Sequence, residues 1–539
     1  MKRILCLLLA VILAAGTFSG CHREEKPYIP TGDALDQGNS SPGQNDPEES
    51  KSFSLGYHPE KGFNPYSCKD SANRTFFPLL YQGLFTVDSD YQVYPVLCRE
   101  YTRSLDMKTY VFYLEDATFP DGSSLTAEDV VASYTAADES GYYGGRFQHI
   151  TSWFAREDGG VQIQLDTPCG NLPLLLDIPI VKAEEAAAEA PMGTGAYVLE
   201  DSSLGHRLRL RTDWWSDAAL PVSTAYVPLV EVGGATDMRD QFEKGRIDLV
   251  CTDPCSDTYV DFRGDYELFD CENGIFLYMG CKDDSEVFGN LNVRSALTYA
   301  INREYLVDTY YRSFAMAANL PVSPLSPYYD EALAERYAYD PERFARVIAE
   351  EGMVGKEVTL VVAMEDPIRV RVTRKIAEML EESGLIVQLR ESGSQYFTPH
   401  LLIGEYDLYL ASTKLSPNMD LSPFYSHSGS LNYGGMADVG IYAQTLEALA
   451  DAGNYNAMYR KAMDEGMLIP ILFQTNVIYA SRGAVSDLTP ARDNLFFCYP
   501  DKTAEDVFNK DADMIPPDET VEETTEATTE GTAETAAPA

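Results

Sequence analysis

The chain is poor in the residues that usually announce chemistry. It has six histidines, His22, His58, His149, His206, His400 and His427, each standing alone. No Gly-x-Ser-x-Gly, His-Glu-x-x-His, P-loop or dinucleotide fingerprint occurs, which removes the commonest hydrolase, metalloprotease, nucleotide-binding and dehydrogenase readings. Isolated histidines read as surface or hydrogen-bonded residues rather than as bases or metal ligands. Long apolar runs are also missing. The longest, Ile4–Ala15, falls short of the ~20 residues a membrane-spanning helix needs. Positive charge is scarce: 41 Lys and Arg face 84 Asp and Glu, a net charge of −43. Residues 52–502 alone carry −31 of it. A surface this acidic repels phosphate backbones, so nucleic acid is excluded as a partner.

What is present begins with a targeting signal. Lys2-Arg3 precedes the apolar run, and Gly16-Thr17-Phe18-Ser19-Gly20-Cys21 follows it. Small residues before a cysteine read as a lipoprotein cleavage box over residues 1–21, with lipid attachment at Cys21 and the mature chain anchored rather than spanning. The alternative is ordinary secretory cleavage nearby. Residues 22–51 read as a disordered linker rich in Pro, Gly, Asn, Ser and acids. Residues 503–539 read as a second disordered segment, acidic and Thr/Glu-rich. The 451 residues between them suffice for two or three domains.

Eight cysteines remain beyond the leader: Cys68, Cys98, Cys169, Cys251, Cys255, Cys271, Cys281 and Cys498. In an exported chain disulfides are the expectation, though spacing gives no pairing. The group Cys251, Cys255, Cys271 and Cys281 could instead hold zinc, but it lacks the close CxxC pairs that such sites favour.

Local patterns mix strand and helix throughout. Tyr110–Leu114 is a β-branched and aromatic strand, Asp121-Gly122 a turn, and Thr126 an N-cap with Asp129 three residues on. Ser52–Tyr57 and Leu84–Val87 read as strands, with Phe76–Gln82 a helix between them. Val293, Leu297 and Ile301 form one helical stripe, and Asn302 can cap the helix that follows. Lys356–Met364, Pro367–Glu382 and Leu385–Arg390 make a β-α-β unit. The glycines of Pro191-Met192-Gly193-Thr194-Gly195 make a tight bend into a strand, not a phosphate loop.

Read together, these segments resemble the extracellular solute-binding proteins of family 5, the peptide-binding lipoproteins of ABC importers. The resemblance rests on Thr109–Tyr134 (TYVFYLEDATFPDGSSLTAEDVVASY), Pro191–Leu199, Asp213-Trp214-Trp215, Phe242–Leu249, Asn292–Glu304, Tyr406–Leu410 and Ile469–Phe473, in the family's order. It implies an α/β, two-lobed periplasmic-binding-protein-like fold (type II, the large three-domain peptide-binding variety) with mixed sheets and an interlobe cleft. It further implies lobe 1 over 52–275 with a small subdomain around 85–165, lobe 2 over 276–468, and a return to lobe 1 over 469–502. The implied activity is capture without catalysis or cofactor: a monomer takes a peptide or peptide-like ligand and delivers it to the permease and ATPase subunits. Alternatives are a receptor for a metal chelate or oligosaccharide, a surface interaction protein that has lost transport, or an extracytoplasmic hydrolase.

Candidate ligand contacts follow from the same resemblance. Of 35 tyrosines, Tyr66, Tyr278, Tyr425 and Tyr433 fall in segments expected between the lobes. Peptide-binding members anchor the ligand's amine with an acid in "W-x-x-D-Y" after the "Y-D-L" strand. Here Lys414 falls near the tryptophan's place and Pro417 at the acid's. Asp420, three residues on, is the candidate substitute, and Lys414 a candidate for a ligand carboxylate.

Overall fold

A strand from near the start of the chain, Leu55–Tyr57, lies in the middle of one end of a large mixed sheet. In the computed structural model the described residues are 53–510, apart from Leu204, Asp257, Gly434, Ser486, Asp487, Asp493, Cys498 and Tyr499. The leader, Cys21, the linker and residues 511–539 therefore lie outside the described residues.

The sheet holds eleven strands. From one edge to the other run Ile386–Ser392, Glu357–Ala363, Leu408–Lys414, Tyr266–Cys281, Leu468–Ser481, Leu249–Thr252, Leu55–Tyr57, Tyr226–Glu231, Gly205–Leu210 and Tyr197–Ser202. Ala315–Ala317 pairs off this path with Leu468–Ser481. At one end Leu55–Tyr57 is parallel to both Tyr226–Glu231 and Leu249–Thr252. At the other end Glu357–Ala363 is parallel to Ile386–Ser392 and Leu408–Lys414. The expected β-α-β unit is there. Its helix, Pro367–Glu381, starts at Asp366, whose side chain accepts the Arg369 N–H, and buries Ile368, Val372, Ile376 and Leu380 at spacings of four.

Two antiparallel strands, Tyr266–Cys281 and Leu468–Ser481, join these ends. Tyr266–Glu272 pairs with Thr475–Ser481 beside the first end, and Phe276–Gly280 pairs with Leu468–Phe473 beside the second. The register breaks between Glu272 and Phe276, where Gly274 takes φ 74°, a left-handed conformation that suits glycine. A second irregularity falls at Tyr278, opposite Pro470, where a residue without an N–H costs no ladder bond. Leu468–Ser481 is buried on both faces for almost its whole length, as a central strand's continuous apolar run requires. The expected lobe boundary, 275 and 276, falls inside the first of these strands, at the interruption.

The buried residues gather into several cores, and the one around Phe276 and Phe424 also takes in Val87, Tyr91 and Leu174. One gathers Phe53, Leu55, Tyr110, Phe112, Tyr134, Leu208 and Leu249. Two others gather Leu277, Val293, Leu297, Val372 and Leu472, and Phe276, Tyr409, Phe424, Met458 and Phe473. A separate four-stranded antiparallel sheet, Cys98–Arg103, Thr109–Leu114, Val161–Leu165 and Ile150–Ala155, packs on the first core together with helix Ala127–Asp138.

The folded chain also runs further than expected. The sequence places residues 503–510 in the disordered tail, yet they are docked. Ala504–Val507 forms a turn of 3-10 helix with Ala504 and Val507 buried, and Phe508 stacks on Tyr101 at 5.1 Å. Apolar residues at 504, 507 and 508 give this piece a face to bury, which the Thr/Glu repeat beyond it lacks.

Candidate functional site

Lined by no residue of the two crossing strands, a cavity of about 840 Å³ is enclosed by residues of the first end of the sheet and its surroundings, within the range of small-ligand pockets. One wall is the short helix Phe77–Leu80 with Tyr81, Gln82 and Gly83. Another is the segment Trp214–Pro221, and a third is the segment from Thr489 to Asp501. Phe77, Tyr81, Phe85, Tyr143, Trp214, Trp215, Phe496 and Phe497 make the lining strongly aromatic.

The Gly193-Thr194-Gly195 bend stands directly before Ala196, a lining residue of this cavity, and packs against its helical wall. A Cβ on Gly193 would lie 2.3 Å from the Leu80 carbonyl oxygen, and one on Gly195 2.4 Å from that of Leu79. Only glycine lets this backbone press against helix Phe77–Leu80. The contact fixes the tryptophans. Trp214 and Trp215 both donate through Nε1 to the Thr194 carbonyl, at 3.0 and 3.1 Å, and Trp215 also reaches the Gln82 side-chain oxygen at 3.0 Å. The reading of the bend as structural therefore holds, and what it supports is the helix and the tryptophans that line the cavity.

Charged groups line the cavity at separate points. Arg74, at the end of helix Ser71–Arg74, donates to the carbonyls of Pro65 and Cys68 and to the Tyr143 hydroxyl. Asp177 pairs with the buried Arg146. Asp217 and Asp501 are exposed at the rim. Arg492 is buried, and its guanidinium lies over the Tyr91 ring at 4.9 Å.

A second, much smaller space of about 10 Å³, room for one water, is lined by Arg146, His149, Cys169, Ser416, Asn418 and Asp420 among others. His149 Nε2 lies 3.2 Å from Asp420 and 3.0 Å from the Ser422 hydroxyl, while Nδ1 lies 3.1 Å from Asp166. Burial alone would lower the His149 pKa, but hydrogen bonding to Asp420, then the charges of Asp420 and Asp166, outweigh it and raise it.

The six expected ligand contacts are distributed as follows. None of them lines the 840 Å³ cavity. Tyr278, Tyr425 and Tyr433 come together in an aromatic cluster: Tyr278 meets Phe424 at 5.0 Å, Tyr425 meets Phe424 at 6.5 Å, and Tyr433 meets Tyr409 at 5.6 Å. Tyr278 and Tyr425 are 1% exposed each, and burial drives both hydroxyls' pKa values up. Tyr66 stands behind the cavity wall, donating to the Pro179 carbonyl at 2.7 Å. Lys414 sets its Nζ over the Tyr142 ring at 3.9 Å, with Arg74 on the same ring at 3.6 Å. The Asp420 carboxylate accepts the Ser422 N–H and hydroxyl, both at 2.8 Å, as well as facing His149.

Sequence reasoning passed over Arg74, Tyr143, Phe496, Phe497 and Arg492 as cavity residues. It quoted Trp214 and Trp215 only as part of a motif, although two of the chain's three tryptophans standing side by side was a usable signal.

Four histidines sit beside an acid: His58 by Asp70, His149 by Asp420, His206 by Asp201 and His400 by Glu405. Cys68, Cys98, Cys169, Cys251, Cys255 and Cys281 are free thiols, so no disulfide forms among these six; Cys498 lies outside the described residues. Burial pushes the thiols of Cys255 and Cys281 up to about 12. Among the described residues no three His, Cys, Asp or Glu side chains gather as a metal site would need, and no helix is long and apolar enough to cross a membrane.

Comparison with known proteins gives this geometry a family. The profile of "Bacterial extracellular solute-binding proteins, family 5 Middle" matches residues 92–435. The glutathione-binding protein GsiB of Escherichia coli (strain K12) is 25% identical over 306 residues, covering 54% of this chain and 59% of GsiB. The chain thus matches less than two thirds of that relative's length. Among solved structures, the oligopeptide-binding protein AppA of Bacillus subtilis in complex with a nonapeptide is similar at a TM-score of 0.57, with 20% identity over 82% of this chain and 96% of that one. NikZ of Campylobacter jejuni in complex with Ni(L-His) gives a TM-score of 0.58, with 18% identity over 82% and 96%. The fold is the mixed α/β periplasmic-binding-protein fold of the oligopeptide-binding proteins. The chain belongs to the bacterial extracellular solute-binding proteins of family 5.

Proposed function

We propose that this protein is the solute receptor of an ABC importer. It captures peptides or peptide-like solutes outside the cytoplasmic membrane, hands them to a permease, and catalyses no reaction. The observation that carries this reading is the match of the family-5 profile to residues 92–435, on a fold whose two sheet ends are joined by a pair of antiparallel strands; an aromatic-lined cavity of about 840 Å³ lies within the first lobe. Rotation about those strands, at the break near Gly274, opens and closes the protein around its solute. The lobes are residues 52–275 with the 469–502 return, and 276–468. Lys414, Tyr142 and the His149–Asp420 pair belong to the seam between them. Anchoring by a lipid on Cys21 keeps the receptor near its permease.

A second reading, a solute without a free amine such as a chelate, draws support from Asp420. That carboxylate is already engaged by Ser422 and His149, and one protein of similar fold is solved with Ni(L-His). Native mass spectrometry of protein purified without denaturation tests both readings. A retained mass that leaves on unfolding is expected, and its identity separates peptide from chelate. A bare chain in every preparation contradicts the receptor reading.

A further inference from the structure

The walls of the aromatic cavity come from residues 74–221 and 489–501, and no described residue from 222 to 488 lines it. It therefore stands outside a crevice between the two ends of the sheet. Protein interiors pack to crystal density and leave few spaces larger than a water molecule. A space of about 840 Å³ is of ligand size instead.

What the lining offers sets the class of occupant. Its polar tips are turned into the walls. Tyr81, 5% exposed, donates its hydroxyl to the Phe63 carbonyl at 2.9 Å. The Tyr143 hydroxyl accepts from Arg74. Trp214 and Trp215 give their indole N–H groups to the Thr194 carbonyl. The Gln82 side-chain oxygen takes the Trp215 N–H and the Thr194 hydroxyl, each at 3.0 Å. These side chains present ring and methylene surface to whatever enters.

The charges are engaged as well. Arg74 donates to the carbonyls of Pro65 and Cys68, Asp177 pairs with Arg146, and Arg492 lies over the Tyr91 ring with Glu272 3.8 Å away. Asp217 and Asp501 are exposed at the rim. An ion entering would lose its hydration and find the counter-charges taken. An anion would also work against the field of a strongly acidic chain. An aromatic ring gains apolar burial and ring–ring contact with Phe77, Phe85, Trp214 and Trp215.

We propose that this cavity is a second binding site, apart from the crevice that closes on the solute, and that it takes an uncharged aromatic molecule. Because no described residue from 276 to 468 contributes, the site is the same with the lobes open or shut.

Two dyes with one ring skeleton test this on the full chain: N-phenyl-1-naphthylamine, which is neutral, and 8-anilino-1-naphthalenesulfonate, which is anionic. The neutral dye should bind once per chain by native mass spectrometry. It should also draw down tryptophan emission, since two of the three tryptophans line the cavity. The sulfonate should bind about tenfold more weakly, or worse. Leu220→Asp, which sets a charge in the lining, should weaken the neutral dye by about tenfold or more. The same change at Leu105, which is 78% exposed and outside the lining, should leave it unaltered. Comparing the two dyes needs no variant, so the test survives a poorly folding Leu220→Asp chain. An excess of a random tripeptide library should leave the neutral dye in place. Equal binding of both dyes, no saturable binding, or a Leu105→Asp effect as large as that of Leu220→Asp overturns the site. Displacement of the dye by peptide makes the cavity part of the solute crevice and overturns the proposal.

Discussion

Gly195 shows how one hydrogen atom in place of a methyl group lets a bend press against the helix that walls a cavity. An added Cβ would lie 2.4 Å from the Leu79 carbonyl oxygen and 2.5 Å from the Leu80 carbonyl carbon. Gly195→Ala should therefore cost about 1–3 kcal/mol by overpacking, read as a lower Tm, and should also disturb the fluorescence of the neighbouring tryptophans. An unchanged Tm and spectrum would show that the bend has slack.

His149 gives a prediction with a sign. Its pKa is raised above the ordinary 6.5 by Asp420 and Asp166 in spite of burial, so its contribution is full below that value and is lost as pH rises through the folded pKa. His149→Gln should lose more stability at pH about 5.5 than at about 8.5. An imidazole titrating by NMR at or below the ordinary value would refute this. Residue identity alone did not reveal such roles. Tyr278 and Tyr425 are chemically identical to a cleft tyrosine, and only the packing of Phe424 and its neighbours against them puts them in the core.

Elements whose cause is local were legible. Thr126 caps helix Ala127–Asp138, and the Asp129 carboxylate accepts the N–H groups of both Thr126 and Ala183 at 2.8 Å. Asp129→Ala should thus cost about 1–2 kcal/mol in thermal unfolding, with Asp129→Asn milder; equal Tm values for all three would deny the cap its role. Val293, Leu297 and Ile301 are all buried, but not as one helical stripe: the α-helix ends at Ala296, Leu297–Ala300 is 3-10 helix and Ile301 is extended, while Asn302 accepts the Tyr305 N–H as a cap. Elements whose cause is a distant partner were not legible. Tyr266–Cys281 carries Asp270, Glu272 and Gly274 in its middle, a composition that suggests a turn. It is a sixteen-residue strand because Leu408–Lys414 and Leu468–Ser481 hydrogen-bond its two sides. The helix expected over Phe76–Gln82 is shorter, Phe77–Leu80, because Gln82 is drawn into a bridge with Ile180.

At the scale of the molecule, the order of segments carried the family and the fold, since seven motifs in sequence constrain a topology more than any one of them. The cavity was not carried that way. Its walls come from residues 74–87, 214–221 and 489–501, and no local pattern records their meeting. The functional account needs the two ends of the sheet to move relative to each other about the two crossing strands. Small-angle X-ray scattering tests this most directly, on protein first stripped of its retained solute by mild unfolding and refolding, then resupplied with it. A smaller radius of gyration with solute than without is the predicted result. Superimposable scattering curves at saturating solute would contradict closure about the Tyr266–Cys281 and Leu468–Ser481 strands.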